Sequence, residues 1–160
     1  MEALSTWLQS TPIHDAMLDI PWAFPACETL HFMGLTLLIG SILVVDLRAL
    51  GLLRMIDFKT AHSLIAVAIL GFSINLITGT LFCFADPGRY FVNVGFQAKM
   101  VLVVIAGLNA LAFEFLVYQK VRAGDAAAET SIAARTTAAL SVVLWLSVLV
   151  LGRFMPYVEY

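Results

Sequence analysis

Glu28 and His31 stand three residues apart in the run "CETLHFMGLTLLIGSILVVDLRALG", residues 27–51, with Asp46 and Arg48 toward its end. That spacing puts Glu28 and His31 on one face of a helix. Ionisable groups on an apolar helix are costly unless they are paired, ligating or near a boundary. A neutral His31 can ligate a haem iron or a transition metal, with Glu28 or a water orienting its other ring nitrogen. Glu-x-x-His is also the spacing of di-iron bundles, but those need two such motifs plus further carboxylates, and this sequence has one. The competing reading is a buried ion-pair cluster, in which Glu28 meets Lys99 or Arg153 and His31 is a hydrogen-bonded packing residue.

A second set, Asp46, His62 and Glu114, has the composition of a hard-metal or proton site, with His62 as its weaker metal candidate. Arg48 and Lys59 are close enough in sequence to neutralise these carboxylates, which is the plain salt-bridge alternative. Cys27 and Cys83 fall at matching depth, either as a disulfide or as two small buried apolar residues.

The elements that must position these groups follow from composition. The 160 residues are 61% hydrophobic and 12% charged, with a mean hydropathy of +0.95. Average soluble chains carry roughly 25% charged residues, so this chain cannot cover a water-exposed surface and belongs in a bilayer. A net charge of −2 without a basic cluster argues against nucleic acid as a partner.

Four runs are long and apolar enough to span, at 28–50, 62–84, 97–118 and 137–157. In lipid such spans are helices. The fold expected is therefore an all-α membrane protein, an antiparallel four-transmembrane-helix bundle over 27–160 with an N-terminal interfacial segment over 1–26. That segment, "MEALSTWLQSTPIHD" onward, lacks the basic start of a signal peptide. Its Trp7 and Trp22 suit the headgroup level. Gly34, Gly40, Gly71, Gly79 and Gly107 are the expected points of close helix approach. "FADPGRYFVNVGFQ" carries a turn at Asp86-Pro87-Gly88.

Arg48, Arg54, Lys59, Lys120, Arg122 and Arg135 fall in two loops on one side, against Arg89, Lys99 and Arg153 on the other. The positive-inside rule then puts the two loops in the cytoplasm and both termini outside, and the expected location is the bacterial inner membrane with both termini periplasmic. Glu28, His31, Lys99, Arg153, Arg89 and His14 share the outer side, whereas Asp46, His62 and Glu114 lie toward the inner one. His31 and His62 are thus separated by most of a core about 30 Å thick and cannot both ligate one haem.

"FPACETLHFMGLTLLIGSILVVDLRALGLLR", "ITGTLFCFADPGRYFVNVGFQAKMVLVVIAGLNALAFE" and "LSVVLWLSVLVLGRFMPY" together resemble a family of uncharacterised four-helix bacterial membrane proteins. More distantly the pattern resembles copper-resistance D proteins and the bacterial membrane protoporphyrinogen oxidase. Shared features are Leu-His early in the first helix, a mid-helix Gly, an Arg at its inner end and "AK" opening the third. The oxidase resemblance implies bound b-type haem and marks His31 and Lys99 as a tetrapyrrole site. That branch places a histidine further along the third helix, where this sequence has Asn109, Ala110 and Glu114. His14 is then the substitute second ligand.

Three functions follow as expectations. The first is haem b in the outer leaflet, with Lys99, Arg89 and Arg153 compensating its propionates, passing electrons between quinone and a membrane or periplasmic partner. The second is a cofactor-free accessory subunit of a larger membrane complex or homo-oligomer. The third is a small metal or solute permease, which needs polar groups at midplane, where Ser73, Asn75, Thr78 and Asn109 stand.

Overall fold

The structure is a computed structural model describing residues 2–157; Met1 and the last three residues of the expected 27–160 domain lie outside the described residues. Two short helices open the chain, α1 (Glu2–Gln9) and α2 (Pro12–Asp19). They precede the first span, α3 (Ala23–Ala49). Helices α4 (Phe58–Ser63) and α5 (Ile65–Ala85) together make the second span, Phe58–Ala85. After α6 (Pro87–Val92), the third span comprises α7 (Val94–Phe113), a π-helical turn at Glu114–Tyr118 and α8 (Gln119–Arg122). The fourth is α9 (Ile132–Phe154). All four spans are long and apolar enough to cross a membrane, and no strand occurs among the described residues. The chain is an all-α, multi-pass membrane bundle.

The second, third and fourth spans start ahead of their apolar stretches because polar caps, rather than hydropathy, set where they begin. Asp57 accepts from the Lys59 and Thr60 amides, Asn93 from Phe96 and Ser131 from Ala134, each satisfying amides that a helix start leaves orphaned. Pro25 sits in the first turn of α3, where its missing amide hydrogen costs nothing. At the other ends, Gly51 and Gly124 have positive φ (85° and 101°). Both stop a helix in the same way. Leu52 N–H bonds Leu47 O and Asp125 N–H bonds Lys120 O, while the two glycine amides bond Arg48 O and Val121 O. This is the 6→1 and 5→2 pair that a left-handed residue permits. Both glycines lie at the loop end, opposite the end that holds the termini.

Around the bundle the order is α5, α3, α9, α7. Helix α3 packs on α5, α7 packs on α9, and α3 against α9 joins the two pairs. Helices α5 and α7 barely touch. One side of the bundle is therefore open. The α3–α5 seam is tight because Gly34 faces Gly71: a Cβ on Gly71 would lie 2.6 Å from Gly34 O and from Leu38 N. Gly40 and Gly107, expected at helix contacts, are not there, since an added Cβ would meet nothing within 4 Å.

Three buried clusters run along the axis: Val45, Phe58, Phe113, Val117 and Ala134 at the loop end, Leu38, Ala106, Leu144 and Trp145 midway, and Met17, Cys27 and Ala85 at the termini end. Met17 belongs to α2, so the N-terminal helices fold over the end of α5 rather than trailing away. Thr11 caps α2, with Pro12 in its first turn.

Candidate functional site

His31 lies half-buried on the α3 face that meets α5. Its Nδ1 is 2.7 Å from Thr78 Oγ1, and that hydroxyl is 2.7 Å from the carbonyl of Ile74 one turn back. A carbonyl only accepts, so Thr78 gives its hydrogen to Ile74 and must accept from His31. The imidazole therefore carries its proton on Nδ1 and keeps a lone pair on Nε2. Phe82 flanks the ring at 5.3 Å between centroids, and Gly79 lies against Cε1, leaving 3.8 Å where a Cβ would stand.

Lys99 stands in the second turn of α7, close enough to His31 and Cys83 for charge to be felt between them. Its Nζ lies 3.5 Å from where a side chain on Gly152 would begin. The ammonium is half-buried, and no carboxylate among the described residues pairs with it. A half-buried cation that no described carboxylate compensates favours an anionic group beside it.

The other termini-end residues separate. Glu28 is exposed and does not meet Lys99 or Arg153, so the ion-pair cluster is absent among the described residues. Nor does Glu28 orient the His31 ring; Thr78 does. Arg153 is exposed, with its guanidinium 5.6 Å from the Tyr157 ring. Arg89 is exposed on α6. His14 reaches α5, giving Nδ1–H to Phe84 O at 2.8 Å, which again leaves Nε2 as the free lone pair. Cys27 and Cys83 are both free thiols; Cys27 donates to Thr78 O at 3.6 Å.

Toward the loop end the second set is differently arranged from the salt-bridge expectation. Arg48 turns away from Asp46, donating to Glu129 at 2.9 Å and Ile56 O at 2.6 Å. Lys59 is exposed. His62 Nε2 pairs with Glu114 Oε2 at 2.8 Å, and Gln119 donates to Glu114 Oε1 at 2.8 Å. The π turn at Glu114–Tyr118 supplies both that carboxylate and Tyr118, which stacks on the His62 ring. Such widened turns occur at functional sites more often than chance. Asp46 is 5% exposed, and its Oδ2 has no hydrogen-bond partner. Ser141 on α9 is its polar neighbour.

Asp46, His62 and Glu114 share one cavity of about 440 Å³ between α5 and α7, with Asn109, Ser141 and Trp145 also in its wall. No group of three or more metal-ligating side chains forms among the described residues. Thr78 enters the sequence reading only as a midplane polar group, and Ser141 and the π turn do not enter it. The available signal was slight: polar residues on lipid-depth helices.

Residues 22–158 match the model of DUF6644, a family of unknown function. The chain belongs to that family. The match starts at the entrance to α3, so it covers the four spans and omits α1 and α2. No curated protein and no solved structure matches the chain.

Proposed function

We propose that the chain is a membrane redox protein holding a b-type haem at the termini end, with His31 as the protein ligand to iron. The observation that carries this reading is the His31 tautomer. Thr78 fixes the proton on Nδ1 and so presents the Nε2 lone pair, which is the arrangement metal-bound histidines use. Lys99 supports it, since a half-buried cation that no carboxylate among the described residues pairs with is suited to a propionate. Arg153 and Arg89 stand at the same end. His14, brought over α5 with its own Nε2 free, is the candidate second ligand. Bound there, haem would supply one-electron chemistry, while the protein sets its orientation and potential.

The role is electron passage between quinone and a membrane or periplasmic partner. Six of the nine Lys and Arg residues flank the loop end, which favours that end in the cytoplasm, so that in a bacterial inner membrane both termini would be periplasmic.

The test is the optical spectrum of purified protein, oxidised and dithionite-reduced, beside His31→Ala. The expected result is a Soret band that the variant loses. Colourless protein from haem-replete cells would refute the proposal and make a cofactor-free accessory subunit the working description.

A further inference from the structure

The cavity between α5 and α7 has no part in the haem reading, which concerns the other end of the bundle. It opens where those two helices fail to pack, and its rim residues Ile69, Phe72 and Leu111 are 61%, 37% and 54% exposed. On a membrane-spanning bundle that rim faces lipid, so entry is sideways from the bilayer. The room comes from small side chains, Ala68 on one wall and Gly107 and Ala110 on the other. At about 440 Å³ it lies within the range of small-molecule sites, roughly 300–1,000 Å³.

Its polar groups gather toward the loop end. Asp46 presents the unpartnered Oδ2. Ser141 supplies a hydroxyl, and the Asn109 amide is fixed by donating Nδ2–H to Thr137 O at 2.9 Å, leaving its carbonyl oxygen as an acceptor. The His62–Glu114 pair, with both Glu114 oxygens occupied, closes that end. An acyl chain filling the space would leave Asp46 without a partner, a buried polar group at full cost. A phosphate headgroup would face the carboxyl groups of Asp46 and Glu114. What fits is a neutral ring with oxygen substituents and an apolar tail: a quinol hydroxyl can donate to Asp46, and a quinone carbonyl can accept from Ser141.

We infer that this cavity is a binding site for a membrane quinone or quinol, ring against Asp46 and Ser141, tail leaving between α5 and α7. The choice of ligand class rests on the redox reading above; the site does not depend on haem. Trp145 in the cavity wall provides the probe. In a Trp7→Phe, Trp22→Phe background it is the sole tryptophan, and decylubiquinone can be titrated against its fluorescence in detergent, with or without haem present.

The expected result is saturable quenching. Gly107→Leu, which projects into open space, should weaken it by tenfold or more, while Gly40→Leu, an equally unobstructed position outside the cavity, should leave it unchanged. Only the reduced form has a hydroxyl to give Asp46, so Asp46→Asn should weaken displacement of the quinone by decylubiquinol by about fivefold, the scale of one hydrogen bond. Linear quenching that is equal in all variants would mean partitioning into detergent and would overturn the proposal. Saturable quenching indifferent to Gly107→Leu would place the quinone elsewhere, and quenching abolished equally by excess phosphatidylcholine would make this a lipid site; either also overturns it. A colourless protein that still passes this test removes the haem reading alone.

Discussion

Gly71→Ala is the substitution that tests the α3–α5 seam most directly. The new Cβ would stand 2.6 Å from Gly34 O and Leu38 N and 3.0 Å from Leu37 Cβ. Two of these are backbone atoms, so no side-chain rotation relieves the clash. Restoring contact at about 3.5 Å requires α3 and α5 to separate locally by about 1 Å. Overpacking of this kind costs typically about 1–3 kcal/mol. Taking about 2 kcal/mol, and about 2–4 °C per kcal/mol for a chain of this size, the melting temperature should fall by about 4–8 °C.

The site should feel it too. His31, Gly34 and Leu38 lie on one face of α3, while Gly71 and Thr78 are two turns apart on the facing side of α5. Spreading the seam lengthens the 2.7 Å bond that fixes the His31 tautomer. Thermal unfolding in detergent, read by loss of the monodisperse peak, measures the stability term. Gly107→Ala is the control, being helical and unobstructed. If Gly71→Ala melts within about 1 °C of that control, less than the shift expected from 1 kcal/mol, close backbone approach is not what holds these helices together.

Two further predictions concern single side chains. Thr78→Val removes the acceptor for His31 Nδ1–H; haem retention on dilution should fall by about tenfold or more, the usual scale for an outer partner of a ligand, and recover in Thr78→Ser. Equal retention in all three proteins would refute the role given to that hydroxyl. Tyr90, on α6 outside the spans, has its phenol pushed above its ordinary 10.0 chiefly by burial. The folded state then holds that proton where the unfolded state has lost it, so stability should decline as pH rises past about 10 and be insensitive to this group below. Urea midpoints at alkaline pH should decline less steeply in Tyr90→Phe, and identical slopes would discount the burial of this phenol.

How much of this was legible without coordinates depends on what hydropathy encodes. The four spans were, because about 20 apolar residues are required whatever the neighbours. The missing register is rotational. These helices are apolar nearly all round, so nothing in the pattern distinguishes Gly34 and Gly71, which meet, from Gly40 and Gly107, which face open space. For the same reason sequence spacing could place Arg48 near Asp46 but not turn it toward Glu129, eighty-one residues away. The open side between α5 and α7 is a property of helix order, and with it goes the cavity. His31 was recognisable as a residue that needed a partner; that the partner is Thr78, and that the bond chooses which nitrogen stays free, depends on two helices crossing at a pair of glycines. The chemistry proposed for His31 is therefore set by packing two turns away on α5, in a seam built from the smallest residue available.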